Sequence, residues 1–401
     1  MLTDNLLESA RGLADDIVSL RREIHREPEL GLETPKTLAK VRAALDGLPL
    51  TWREGPSCTG ALATLEGTAT GDQLRRVLLR GDMDALPMDE KTNLDFASTI
   101  TGRMHACGHD THTAMLVGAA KLLCAQRDSF SGTVDFMFQP GEEGFHGARH
   151  MIDAGLLNPL PDAAFALHII PNAPFNVIAG RPGPLMAAAD SFDITVKGQG
   201  GHASMPHDCA DPIPCAAAII SAMQAMVTRR FNAASAVIVT VTQINAGTAH
   251  NVIPDEVKLC GTMRTLSPEH RAKVHQLVEQ TAADVARGYG LEAICEIEPG
   301  FPVTICDQRA VELGAKVARQ NGGGGAWLDL PAPIMGAEDF SYVLEQVPGA
   351  MFFLGVAPEG DDWQNCCAIH SPRMMVDEKA LPTGTAMLAG CALEFLTNGW
   401  A

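Results

Sequence analysis

Residues 104–112 read Met104-His105-Ala106-Cys107-Gly108-His109-Asp110-Thr111-His112, which puts one thiol, three imidazoles and a carboxylate into nine positions. Cys107 and His109 are two apart. On a non-helical segment both side chains can therefore leave the same edge and converge on one ion, and Gly108 between them permits a tight bend. A Cys-x-His alone is more often a buried thiol beside polar loop histidines. Partners elsewhere decide the reading. Glu142 and Glu143 are adjacent on the loop Gln139-Pro140-Gly141-Glu142-Glu143-Gly144, so their carboxylates diverge, and one can hold a metal while the other faces the water that the metal activates. Neighbouring acids hinder each other's ionisation and a cation restores it, which tunes a general base towards working pH. His168 follows an apolar run and His370 sits in Ala368-Ile369-His370-Ser371-Pro372. Singly, each is more often a hydrogen-bonded core histidine, as a Glu-Glu pair is more often a solvated acidic loop. Together with Cys107, His109 and Glu143 the two histidines complete five nitrogen, oxygen and sulfur ligands of the kind zinc and its neighbours accept. Five exceeds one tetrahedral site and points to two ions with a shared ligand.

The elements that must position these groups alternate. Helical patterns cover 5–26 and 34–45, and strand-like runs cover 77–80, 133–138 and 163–167, each followed by chemically capable residues. A helical segment at 111–126 intervenes. This is the pattern of an open α/β sheet whose functional groups collect beyond the carboxyl ends of its strands. After Arg181-Pro182-Gly183-Pro184 the character changes. Strands at 191–197, 236–244, 256–264 and 291–298, with helices at 211–229 and 268–288, give the β-α-β-β-α-β order of a ferredoxin-like unit. The expected organisation is thus an α/β catalytic domain, 1–185 and 300–401, carrying an inserted α+β satellite domain at 186–299. Residues 321–325 read as a flexible glycine-rich loop that lacks the Lys-Ser/Thr of a phosphate loop.

Composition narrows the function classes. The 401 residues are 46% apolar and 19% charged, with a net charge of -18. That argues against nucleic acid or an anionic membrane surface as partner. An anionic small substrate would need local positive groups such as bound metal ions. Residues 1–20 lack the basic start and apolar core of a signal peptide, and the nearest approach to a membrane span, 215–227, is interrupted by Ser221 and Gln224. Eleven cysteines without framework spacing suit a reducing compartment. A cytoplasmic protein is expected.

The chain resembles the aminoacylase and carboxypeptidase group of co-catalytic metallopeptidases, metallopeptidase family 20, and within it the amidohydrolase branch of hippurate hydrolases, N-acyl amino acid amidohydrolases and auxin-conjugate hydrolases. The resemblance spans nearly the whole chain: Gly81-Asp82-Met83-Asp84-Ala85-Leu86-Pro87, residues 104–112, Gln139-Pro140-Gly141-Glu142-Glu143, Gly200-Gly201-His202-Ala203-Ser204, His250-Asn251-Val252-Ile253-Pro254, Gly261-Thr262-Met263-Arg264-Thr265, Gly336-Ala337-Glu338-Asp339-Phe340 and His370-Ser371-Pro372. It implies a zinc-peptidase-like fold with a satellite domain. It also implies two divalent ions (zinc, manganese, nickel or cobalt) on Cys107, His109, Glu143, His168 and His370, with Cys107 bridging and Glu142 as general base and acid. Other branches carry a His-x-Asp motif and a bridging aspartate. Here Asp82 stands in place of that histidine and Cys107 in place of the bridging carboxylate, which makes Asp82 and Asp84 supports for the ligands. Asp110 reads as a helix N-cap. From the satellite domain the resemblance implies His202 as oxyanion donor, with Asn251 and Arg264 binding the substrate. The implied reaction is hydrolysis of a small-molecule N-acyl amino acid by a homodimer or homotetramer paired through the satellite domain. A metallo-dipeptidase or carboxypeptidase is the nearer alternative, and a non-catalytic binding protein on the same fold the more distant.

Overall fold

The computed structural model describes residues 5–71, 74–323 and 325–400. The chain forms two compact units. The first comprises Met1–Leu185, Ile305–Ala332 and Asp339–Ala401, and the second Met186–Thr304 with Pro333–Glu338. In chain order the first unit contributes α1 (Leu6–Arg11), α2 (Ala14–Arg26), α3 (Pro35–Ala44), β1 (Leu50–Glu54), β2 (Ala61–Glu66), β3 (Arg76–Asp82), α4 (His109–Ala125), β4 (Thr133–Gln139), α5 (Gly147–Asp153), β5 (Ala163–Ile170) and β6 (Ile178–Gly180). After β7 (Gly183–Met186) come β8 (Ala188–Lys197), β9 (Gly201–His202), α6 (Pro212–Arg230), β10 (Val237–Ala246), β11 (Val252–Ile253), β12 (Glu256–Thr265), α7 (Pro268–Gly288) and β13 (Glu292–Glu298). The chain then runs through β14 (Thr304–Cys306), α8 (Gln308–Gly322), β15 (Trp327–Asp329), α9 (Ser341–Leu344), β16 (Gly349–Gly355) and α10 (Leu381–Asn398).

The first unit is built on a mixed eight-stranded sheet of order β1-β2-β4-β3-β5-β16-β6-β15. Its centre, β4-β3-β5-β16, is parallel. Those strands are buried almost end to end, as expected where helices cover both faces of a parallel sheet. α4 and α10 pack on each other and on β3 and β5. The parallel strands all deliver their carboxyl ends to one edge, which gathers the candidate residues.

Several local expectations shift. The helical stretch at 5–26 is two helices interrupted at Gly12 and Leu13, where glycine disfavours continuation. The strand at 163–167 extends to Ile170, so His168 lies inside it; the backbone pairing Phe353↔His168 to Gly355↔Ile170 carries the strand past its first polar residue. Asn321 and Gly322 close α8, Gly323 turns the chain at φ 77°, and Gly324 of the expected loop lies outside the described residues. The most span-like helix is the C-terminal one, which reaches spanning length and hydropathy. Leu381–Asn398 is buried from Leu381 through Leu396 except at Thr383, so its apolar character serves a core packed on all sides.

The second unit is an antiparallel sheet of order β10-β12-β8-β13. With α6 and α7 it has the ferredoxin-like connectivity β8-α6-β10-β12-α7-β13. Alternating residues Phe192, Ile194 and Val196 of β8 meet Ile219 and Met223 of α6 and Val274 and Val278 of α7 in one core. Asp211 and Ser267 cap the two helices, accepting from the backbone N–H of Ile213 and His270. Asp190 accepts hydrogen bonds from Arg271 (2.7 Å), His275 (2.8 Å) and the Gly300 N–H (2.9 Å), tying α7 and the exit of β13 to the start of β8. Pro333–Glu338 joins this unit through backbone pairing, the Ala187 N–H donating to the Gly336 carbonyl at 2.8 Å.

Candidate metal centre

Cys107 and His109 flank the start of α4, whose N-cap is Gly108 at φ 92°. A Cβ there would lie 2.5 Å from Ile169 Cγ1. Only glycine permits both this backbone conformation and the close approach of β5. The bend puts Cys107 Sγ 3.3 Å from His168 Nε2. Glu142 and Glu143 occupy the turn after β4, where Gly141 has φ 68°. Both carboxylate oxygens of buried Asp84 hold this turn, accepting the Glu142 and Glu143 N–H groups at 3.0 Å each. The Asp84 carbonyl accepts His109 Nδ1–H at 2.9 Å, directing His109 Nε2 into the site. His370 comes from a distant loop, but its N–H donates to the Ala106 carbonyl at 2.7 Å, and its Nε2 lies 3.4 Å from Glu143 Oε1.

All five expected ligands therefore meet, in overlapping groups. The ligand atoms of Cys107, His109 and His168 lie within 4.8 Å of one another, and so do those of Cys107, Glu143 and His370. Cys107 belongs to both. Glu142 joins His109 and Glu143 in a third such group. His109 Nε2 and Glu143 Oε1 are buried without a hydrogen-bond partner, a costly arrangement unless a cation takes their lone pairs. Burial pushes the Cys107 thiol up to about 12, so its proton is surrendered only to a strongly attracting cation. Burial, then the neighbouring His112, holds His168 well below the usual imidazole value, which leaves it in the neutral form that a metal ion accepts. Burial opposes the charge of Glu143, but the approach of the His370 ring and the His109 charge outweigh it and lower its pKa.

Asp110 departs from the expected capping role. Gly108 is the N-cap, and Asp110 sits inside the first turn, buried and paired with Arg21 at 2.7 Å and His25 at 2.8 Å. The reason is that α4 begins two residues earlier than a cap at Asp110 would require, and two basic groups of α2 lie under its first turn. Asp82 accepts from Arg80 at 2.5 Å and from His112 at 2.7 Å. Arg80 also donates to Gln139 at 2.9 Å and Asp339 at 3.1 Å. Arg21, His25, Arg80 and the role of Asp339 were not legible in the sequence, because a lone Arg or His in an apolar pattern does not reveal its partner. The Gly-Ala-Glu-Asp-Phe motif flagged Asp339 without saying that it also accepts the Ala148 N–H at 2.9 Å.

In the second unit, β9 and β11 pair so that His202 stands opposite Val252, and the Ala203 N–H donates to the Asn251 carbonyl at 3.1 Å. His202 is exposed, and its Nδ1 accepts from the Ser204 N–H at 3.2 Å. A backbone amide can only donate, so the ring proton sits on Nε2. Half-buried Arg264 donates from Nη1 to the Met263 carbonyl at 2.9 Å and to Thr262 Oγ1.

Residues 78–394 match the model of Peptidase family M20/M25/M40. The chain belongs to that family. An N-acetylcysteine deacetylase of Bacillus subtilis is 37% identical over 95% of this chain and 97% of its own length. Thermostable carboxypeptidase 1 of Saccharolobus solfataricus is 37% identical over 98% of this chain and 99% of its own. The solved structure of the YXEP protein of Bacillus subtilis, a dinuclear metal-binding peptidase of the M20 family, superposes with a TM-score of 0.83. It is 34% identical and covers 96% of this chain and 99% of its own. The protein is a metal-dependent hydrolase of the M20 family, in the amidohydrolase branch.

Proposed function

We propose that this M20 hydrolase cleaves the amide bond of N-acyl amino acids to a carboxylic acid and a free amino acid, with two divalent ions on Cys107, His109, Glu143, His168 and His370. The observation that carries this reading is the pair of orphaned buried ligand atoms, His109 Nε2 and Glu143 Oε1, grouped with a second carboxylate, Glu142. The donor set fits zinc, manganese, nickel or cobalt. Bound ions would polarise the scissile carbonyl and acidify a water. Glu142 removes a proton from the attacking water and passes it to the leaving amine. His202 presents Nε2–H to the developing oxyanion, and Asn251 and Arg264 recognise the substrate, Arg264 through its carboxylate.

The test is free-amine release from a panel of N-acetyl, N-benzoyl and indole-acyl amino acids, using protein loaded with each of the four metals. Release abolished by chelation is the expected result. The carboxypeptidase relative favours a second reading, hydrolysis of substrates with a free amine. Cleavage of free dipeptides with none of any acylated substrate would replace the first reading by the second. We also propose a cytoplasmic location, which the eleven free thiols support, and pairing of protomers through the second unit. There β10 and β13 form the sheet edges and Ile238 and Ile244 are exposed on β10. Sedimentation as a monomer would refute the pairing.

A further inference from the structure

We infer that His112 is a positioning residue for the metal ligand His168, acting through the backbone of β5. The argument starts from a gap in the sheet. β3 pairs with β5 only from Val77↔Ala163 to Arg80↔Ala166. β3 nevertheless continues on β4 to Asp82↔Gln139, and β5 continues on β16 to Gly355↔Ile170. The two strands splay where His168 must be presented, and the β5 edge facing β3 loses its strand partner there. His112, on the first turns of α4, fills the gap: its Nε2 accepts the Ile169 N–H at 2.9 Å.

An amide N–H can only donate, so His112 Nε2 carries no proton. Its Nδ1–H therefore donates to Asp82 Oδ1 at 2.7 Å, and the other Asp82 oxygen is held by Arg80 at 2.5 Å. This fixes both tautomer and ring orientation. The neighbouring carbonyl, that of Ile169, accepts His168 Nδ1–H at 2.6 Å. His112 thus holds one polar group of Ile169 while His168 uses the other, and the two rings pack at 4.5 Å between centroids. His168 Nε2 is left pointing at Cys107. The chain Arg80–Asp82–His112–Ile169 sets where the lone pair of His168 lies.

This inference rests on the metal assignment proposed above, and the experiment separates the two. Apo wild-type protein, H112N and H112Q are titrated with cobalt(II) while the absorption spectrum is followed. Asn can still donate to Asp82 but cannot reach the Ile169 N–H, whereas Gln can offer it an oxygen. The expected result is a 10–100-fold loss of affinity at one site in H112N with an altered ligand-field spectrum, the range seen when a group behind a metal ligand is removed. H112Q should stay within about threefold of wild type. Wild-type affinity and spectrum in H112N would overturn the inference and leave the metal assignment standing. No cobalt binding by wild type would overturn both. Should H112N not fold, a loss in H112Q confined to neither site, or ¹⁵N-histidine spectra of the wild type showing His112 protonated at Nε2, would overturn it. The Nδ1–H tautomer with H112Q binding as predicted would uphold it.

Discussion

Asp84→Asn tests whether the Glu142–Glu143 turn is set by one buried carboxylate. Asp84 is 1% exposed and accepts both turn N–H groups at 3.0 Å. Asparagine keeps the size but offers one oxygen and one NH2 group, so one hydrogen bond survives without its charge and the other becomes a donor facing a donor. Hydrogen bonds to charged groups contribute about 1.5–3 kcal/mol each, so the net loss is about 3 kcal/mol. Because these bonds orient the proposed general base and a proposed metal ligand together, most of the loss should appear as displacement of Glu142 and Glu143 from productive geometry. A cost of about 3 kcal/mol in the transition state is roughly a 100-fold drop in kcat. The assay is kcat on the best N-acyl amino acid of the panel, with metal content measured by mass spectrometry and folding by circular dichroism. A folded Asp84→Asn protein with kcat within about threefold of wild type would refute the reasoning, since the clamp would then carry no geometry that catalysis needs.

Glu142→Gln should keep its metal and lose about 100-fold or more in kcat, the lower end of general acid–base contributions; a loaded, active variant would remove Glu142 from proton transfer. Cys107→Ala should weaken metal uptake in an isothermal titration, and undiminished loading would exclude Cys107 as a ligand. Chelation should abolish activity, with recovery on adding back a divalent ion; activity that persists after verified metal removal would overturn the metal-dependent mechanism. In the second unit, burial opposes the charge of Asp190, but the His275 and Arg271 hydrogen bonds bring its pKa down to about 2 from an ordinary 3.8. A depressed carboxyl contributes stability that is fully present above the unfolded value and is lost as pH falls through the folded one. Wild type should therefore lose stability between about pH 4 and pH 2 more steeply than Asp190→Asn, measured by urea unfolding, and equal slopes would contradict the pairing.

Much of the architecture was written locally. The apolar runs at 77–80 and 133–138 and the helical patterns at 211–229 and 268–288 fell on real strands and helices, because a strand covered on both faces needs a continuous apolar run and a helix covered on one face repeats every 3.6 residues. Boundaries moved where pairing overrode residue type: β5 ran through His168 because β16 continued to bond it.

For the site, the sequence by itself determined the inventory of candidates. Ligand chemistry depends on atom type, so Cys107, His109, Glu142, Glu143, His168 and His370 could be named from residue identity, motif and family resemblance. Only the tertiary structure decided which polar groups hold that inventory in place. That His112 meets a backbone N–H exposed by the splay of β3 from β5, that Asp84 grips two successive amides, and that Asp110 lies over Arg21 and His25 are facts about pairs far apart in the chain. A hydrogen bond is set by distance and direction between atoms, and neither is encoded in the spacing of either partner along the sequence.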